Sequence, residues 1–371
     1  MANSVTMGRA NMAAADPDGN LLASDASIFS PQECLEARPQ SEDSVAPILS
    51  PQKCLSNAQQ VIDAADASGF SRPQLAELIA SGTFAHVFAT SNPEEVVKML
   101  KVPASDTGTP LQFRSLGREL KLLRELSGCP YVAQCRGSFM LRGAVVAVTM
   151  GRASSNLRGY LRDTNLSKKP QLVERISAQL CAALCFMHGR HILHRDLKPQ
   201  NVLVFPDPEV RVKVCDFDSS TVLSKSGLVS HRGNCTTVAY ASPESLFQAA
   251  HLTAASDCWS LGCIIMELYL GRTLFASPPL SSQVTTIHEW TRVLGTPQRL
   301  DQWRSFLALP QIRGNRIADL LQETGARPRV PQLVGGLLRY DASHRLTATG
   351  ALLHPSFAVE HVTLRYLRGR R

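Results

Sequence analysis

Aromatic residues make up only 6% of the 371-residue chain, and no run of Lys and Arg with interleaved aromatics occurs. A nucleic-acid groove is therefore not expected. The ten cysteines are scattered, with no Cys-x-x-Cys pair and no regular spacing. That argues against a zinc cluster and a disulfide framework, and fits reduced thiols inside a cell. The most apolar stretches, such as CIIMELYLG, fall short of the roughly 20 residues that a membrane-spanning helix needs. The first twenty residues, MANSVTMGRANMAAADPDGN, lack an apolar signal core. The expectation is a soluble intracellular protein, cytoplasmic or nuclear, with no membrane partner.

What is present is 44% hydrophobic and 19% charged, enough apolar material for a sizeable core. The length allows two domains, or one two-lobed unit plus a tail. A formal net charge of +8 favours anionic ligands or acidic partners, although a solvated basic surface explains it equally. Residues 1–72 are rich in Ala, Ser, Asp, Gln and Pro and read as a disordered extension. They hold a short repeat, SPQECL at Ser30 and SPQKCL at Ser50. The copies read as docking or phosphorylation segments, or as chance duplication.

From about Leu75 the pattern changes. LAELIASGTFAHVFAT reads as a hairpin, EEVVKMLKV as the next strand and GAVVAVTM as another. In LGRELKLLREL, Leu116, Leu120, Leu123 and Leu126 fall on one helical face. After Arg152 helical patterns dominate. LVERISAQLCAALCFMHG is a long amphipathic helix closed by Gly189, and SDCWSLGCIIMELYLG reads as a buried helix with Ser256 as N-cap. The organisation is α+β: a small strand-rich lobe at 73–150, a helical lobe at 151–360 and a basic tail at 361–371.

The densest chemistry lies in ILHRDLKPQNVLV. Asp196, Lys198 and Asn201 share one loop: a carboxylate to accept a hydroxyl proton, an ammonium to neutralise a moving phosphoryl charge, and an amide oxygen for a metal. Asp216 follows at the end of a strand, as a second metal ligand. Upstream, Lys98 can reach phosphates and Glu119 can fix it, while Ser81 and Gly82 let backbone amides approach phosphate oxygens.

In this order the motifs resemble those of the eukaryotic protein kinases, over about residues 75 to 360. The resemblance implies a bilobal fold, ATP and Mg²⁺ as cofactors, and serine or threonine of protein substrates as acceptor. It aligns Ile79 to Val87 (Ile79, Ala80, Ser81, Gly82, Thr83, Phe84, Ala85 and Val87 among them) with the glycine-rich loop, of whose usual glycines only Gly82 remains. It aligns Lys98 with the strand lysine, Glu119 with its partner, Asp196 with the catalytic base and Asp216 with the metal-binding aspartate. Asn201 and Asp216 would hold metal. Counting back from NLRGYL places Thr149 at the gatekeeper and Met150 to Arg152 in the hinge, with Leu203 and Val87 around adenine. Thr237 would touch Asp196 and Lys198, His194 would support Phe217, and Glu244 would pair with Arg345.

RELKLLREL and CWSLGCIIMELYLGRTLF are similar to the cyclin-dependent and MAP-kinase-like group, which implies a cyclin-like activator. QFRSLG replaces the cyclin-contacting motif, and Ala241 replaces an arginine of that group. In VKVCDFDSS, Asp218 stands where glycine is usual; a residue tolerant of positive φ is expected there. No phosphorylatable residue stands at the usual activation-segment distance, which leaves Ser230. The alternative to an active kinase is a pseudokinase scaffold that binds nucleotide or partners with weak transfer or none.

Overall fold

The computed structural model describes residues 50–67, 71–82, 85–101, 110–141, 144–206, 208–230, 237–275, 283–297 and 312–357. Six strands form one sheet: β1 (Asp66–Ala67), β2 (Leu75–Ser81), β3 (Ala85–Thr90), β4 (Glu95–Leu100), β5 (Cys135–Leu141) and β6 (Ala144–Gly151). Their order is β1-β5-β6-β4-β3-β2, and every pairing is antiparallel. Side chains alternate between faces. Val87, Lys98 and Val148 lie in register across β3, β4 and β6, as do Phe88, Val97 and Thr149 on the opposite face.

The outer face carries a helix that the sequence reading does not contain. Helix α1 (Pro51–Ala64) starts at Ser50, whose hydroxyl accepts from the Lys53 amide at 3.3 Å, with Pro51 in the first turn. The second copy of the repeat is thus a helix start, Ser as N-cap and Pro where no donor is needed. Ile62 and Ala58 bury against Leu75, Phe88, Val97, Met99 and Phe139. Gln59 Oε1 accepts from the Leu75 amide at 2.8 Å, and Arg72 donates to the Ala65 carbonyl at 3.1 Å. Residues 50–67 are therefore ordered, which corrects the expected disorder for that stretch. Residues 1–49, the first SPQECL copy and the tail at 361–371 lie outside the described residues.

On the inner face lies α2 (Pro110–Glu125). Its predicted apolar row divides between two cores. Leu116 and Leu120 pack with Leu100, Val148 and Met150. Leu123 and Leu126 belong to the core of the helical lobe. The helix thereby links the sheet to that lobe.

The larger lobe begins with β7 (Ser155–Asn156), α3 (Leu157–Thr164) and α4 (Pro170–His188). Short strands β8 (Ile192–Leu193), β9 (Val202–Phe205), β10 (Arg211–Val214), β11 (Thr221–Val222) and β12 (Val229–Ser230) follow, then α5 (Pro243–Leu246) and β13 (His251–Leu252). Helices α6 (Ala255–Leu270), α7 (Gln283–Leu294), α8 (Ile317–Leu321), α9 (Val330–Leu337) and α10 (Ala348–Leu352) come next. The centre of α6 is buried on all sides, around Trp259. A Cβ on its Gly262 would lie 2.9 Å from a Leu338 methyl and 3.0 Å from the Leu337 Cβ, so the glycine lets α6 and the end of α9 approach closely. Ser256 is not the N-cap of α6, as expected, but sits in its first turn; the cap position is Ala254. The Ser256 hydroxyl instead donates to Glu244 at 2.9 Å.

Candidate active site

The loop after β8 is hung from one buried carboxylate. Asp257, in the first turn of α6, accepts from the His194 amide at 2.8 Å and the Arg195 amide at 3.0 Å. His188, at the end of α4, holds the same carboxylate at 3.0 Å. Burial works against a charged His188, but Asp257 prevails and raises its pKa to about 10. His188 has no signal in the sequence beyond its place at the end of a helix. His194 is fully buried, bonds the Cys215 carbonyl at 3.0 Å and lies 5.3 Å from the Phe217 ring. It supports Phe217 as expected. Arg195 has a φ of 72°, a strained conformation for a non-glycine residue at the entrance to the loop.

This suspension presents Asp196 to a set of donors. Lys198 Nζ lies 2.6 Å from Oδ2, and Thr237 donates to Oδ1 through its hydroxyl at 2.9 Å and its amide at 3.0 Å. Lys198 also donates to the Thr237 hydroxyl at 2.9 Å, so Thr237 does touch both residues. Asn201 donates to the Asp196 carbonyl at 2.9 Å. The turn that carries Thr237 is braced from below. Tyr240 donates to Glu267 at 2.6 Å, and Arg158 reaches Tyr240 at 2.7 Å and Glu267 at 2.7 Å. Sequence reasoning missed these three braces, which come from α3, α6 and the segment between β12 and α5.

The second group lies between β4, α2 and the stretch after β10. Lys98 Nζ donates to both Glu119 oxygens at 2.9 and 2.8 Å and to Asp216 at 3.0 Å. Asp218 stands 3.5 Å from the same ammonium. Burial alone would lower the Lys98 pKa, but Glu119, then Asp216 and Asp218, hold it well above its ordinary value. Asp216 is depressed despite its burial, chiefly by Lys98. Burial pushes Glu119 up against the same pull. Arg118 of α2 donates to the Asp218 carbonyl at 2.6 Å, and the Phe217 amide donates to Glu119 at 3.3 Å. Positive φ falls on Asp216, at 65°, and not on Asp218. The expectation that position 218 needs a residue tolerant of positive φ is corrected: an ordinary backbone suffices there.

Along the sheet, the Gly82 amide donates to the Ala85 carbonyl at 2.9 Å and closes the β2–β3 hairpin. Ala80 and Ala85 both have negative φ, so alanine in place of glycine carries no backbone strain there. Ile79 is 46% exposed at the hairpin, while Ser81 pairs with His86. Thr83 and Phe84 lie outside the described residues. Val87 shares the face of Lys98, and half-buried Leu203 packs against Met150 and its neighbours.

The register corrects the gatekeeper. Thr149 pairs with Val97, whose side chain belongs to the outer core, so Thr149 faces away from Lys98. Met150 pairs with Val96 and packs beside Val148 on the inner face. The Arg152 amide is committed to the Glu94 carbonyl at 3.0 Å. Ala153, which the sequence reading passed over, makes no backbone hydrogen bond among the described residues.

The donor set suits a hard divalent cation. Carboxylate oxygens of Glu119, Asp216 and Asp218 all lie within 4.8 Å of one another. One ammonium leaves this group with excess negative charge. Asn201 spends its amide nitrogen on Asp196, which leaves its amide oxygen without a donor among the described residues. Among the residues after Asp216, Ser224 and Ser226 share a hydrogen bond of 2.7 Å, and exposed Ser230 pairs with His251 in the β12–β13 ladder. Arg232 to Asn234 and Thr236 lie outside the described residues.

Comparison with known proteins places these features in one family. Residues 74–357 match the family described as protein kinase domain. The chain is 30% identical over 297 residues to a cyclin-dependent kinase 4 homolog of Caenorhabditis elegans, covering 76% of this chain and 70% of the relative. It is 29% identical over 300 residues to cyclin-dependent kinase B2-1 of Oryza sativa subsp. japonica, covering 76% and 88%.

Proposed function

The chain belongs to the eukaryotic protein kinases, serine/threonine class, in the group that holds the cyclin-dependent kinases, and from that premise we propose that it transfers the γ-phosphoryl of Mg·ATP to serine or threonine hydroxyls of proteins. One observation carries the reading: Asp196, Lys198 and Thr237 form a closed hydrogen-bonded set in a chain that also seats Lys98 between Glu119 and Asp216.

Asp196 accepts the proton of the incoming hydroxyl, and the Thr237 donors fix its carboxylate in one rotamer. Lys198 neutralises charge that develops on the transferred group. Lys98, oriented by Glu119, grips phosphate oxygens, and Asp216 with Asn201 holds the metal. Asp216 and Asn201, with the Asp218 carboxylate nearby, would hold a magnesium ion, which would supply charge neutralisation for the phosphates. Adenine lies between Val87 and Leu203, with Met150 behind it and the Ala153 backbone at its edge. The relatives' names bring a cyclin-type activator into the proposal.

The test compares the 371-residue chain with Asp196→Asn on Mg·ATP and a peptide panel. Transfer that depends on Asp196 is expected. Transfer no faster than the variant's, with nucleotide still bound, would establish the scaffold reading, which the crowding of Lys98 by a third carboxylate favours.

A further inference from the structure

On the far side of the strand that leads out of β6, Glu94, Arg136, Gly151, Arg152, Arg211 and Lys213 line a cavity of about 200 Å³. Two of its cations come from the sheet side and two from the β10 end of the helical lobe. Arg136 spends one nitrogen on the Glu94 carbonyl at 2.9 Å, and its guanidinium lies beside Gly151, where a Cβ would come within 3.3 Å. Arg211 and Lys213 alternate along β10 onto one face, opposite Phe205 and Leu203. The Lys213 ammonium stands 5.1 Å over the Phe205 ring.

None of the four cations is in an ion pair with a carboxylate among the described residues; Glu94 lines the cavity but pairs with none of them. Burial, then repulsion from Arg211 and Arg136, lowers the pKa of Lys213. Like charges held around one concave space destabilise the protein unless an anion enters it. The volume is smaller than the ~300–1,000 Å³ usual for organic ligands, which favours a compact, highly charged group. A phosphoryl group offers about two negative charges and three oxygens, a match for guanidinium donors that a single carboxylate cannot equal.

We propose that this cavity, which adjoins the adenine position through Met150 and Leu203 but does not include Lys98, is a phosphoryl-binding site that bridges the sheet and β10 through Arg136, Arg152, Arg211 and Lys213. The phosphoryl group comes either from a phosphorylated protein segment or from a small polyanion. The cavity shares Met150 and Gly151 with the end of β6 and Leu203 with β9, so an occupant stiffens the connection beside the adenine position.

The probes are a serine-phosphorylated peptide mixture, its unphosphorylated counterpart and pyrophosphate, each titrated calorimetrically into the full chain. Lys98→Ala, which removes the cation of the cleft, should leave this binding intact. Arg211→Gln/Lys213→Gln should weaken it by about tenfold or more for each charge-assisted hydrogen bond removed. Because Lys213 is half-buried, the exposed Arg211→Gln single variant serves if the double variant loses its cooperative melt. Binding of the phosphopeptide, but not its unphosphorylated form, supports the site and assigns a protein source. Binding of pyrophosphate alone supports it with a small-polyanion source. The idea is overturned if no probe binds at millimolar concentration, if Lys98→Ala abolishes binding, or if the Arg211 variants bind as tightly as the parent.

Discussion

The pair between Glu244 and Arg345 offers a sharp test, because its two halves are unequally supported. Arg345 donates to both Glu244 oxygens, at 2.7 and 3.0 Å. It also donates to the carbonyls of Ala255 at 2.7 Å, Arg339 at 3.0 Å and Tyr340 at 3.3 Å. Without Glu244, the guanidinium therefore keeps three acceptors. Without Arg345, the Glu244 carboxylate keeps the Ser256 hydroxyl as its one side-chain donor, with only 8% of the residue exposed. Arg345→Met should cost roughly 3–5 kcal/mol, the usual cost of stranding a buried charge. Glu244→Gln keeps an acceptor and should cost about 1.5–3 kcal/mol, the worth of hydrogen bonds to a charged group.

The pH dependence separates the two further. Burial raises the Glu244 pKa, but Arg345 outweighs it and depresses the value. In the parent protein, the resulting stability is present above the unfolded carboxylate pKa and is lost as pH falls through the depressed one. In Arg345→Met only the Ser256 and backbone hydrogen bonds still oppose burial, so the pKa rises and lowering the pH from neutrality should recover part of the loss. Urea unfolding followed by tryptophan fluorescence reads both effects, with the Trp259 ring 5.2 Å from the guanidinium as a local reporter. A Glu244→Gln cost equal to or above that of Arg345→Met would refute the reasoning. So would a loss below about 1 kcal/mol in both, which is the scale of an exposed pair.

Other outcomes follow from the same geometry. Ile62→Ala, at a fully buried position of α1, should lower stability by about 2–5 kcal/mol, measured by denaturant midpoint; a neutral result would mean that α1 does not pack on the sheet. The His188–Asp257 pair should stabilise fully below the unfolded histidine pKa of about 6.5 and progressively less as pH rises toward about 10. His188→Gln should remove that slope from a melting-temperature profile. Asp218→Gly removes a partly exposed contact at 3.5 Å from Lys98, so kcat should change by less than about tenfold. A gain of several orders of magnitude would show that Asp218 is damage. Met150→Ala should admit ATP with a bulky substituent on the adenine amine, seen as a lower KM, while Thr149→Ala should not.

Legibility in the sequence tracked how local the physical signal is. The row Leu116, Leu120, Leu123, Leu126 repeats at helical spacing, so α2 and its buried face could be read directly, though not the division of that row between two cores. Asp196, Lys198 and Asn201 lie within six residues on one loop, so their company needed no tertiary contact to be seen. Helix α1 was invisible because only Ala58 and Ile62 of its fourteen residues are buried; a helix that rests on a sheet by so narrow a stripe has the composition of a disordered segment. The gatekeeper error has a different cause. A strand has a period of two, so a count that is one residue out reverses the face of every side chain. Only the pairing of Thr149 with Val97, and of Met150 with Val96, resolves it. His188 and the Arg158–Tyr240–Glu267 brace act on the Asp196 loop and the Thr237 turn across gaps of many residues, from beneath the segments they hold. Such groups become readable only when burial, distance and partner are known together. Asp218 belongs with them, because what decides its role is the ammonium beside it and not the missing glycine.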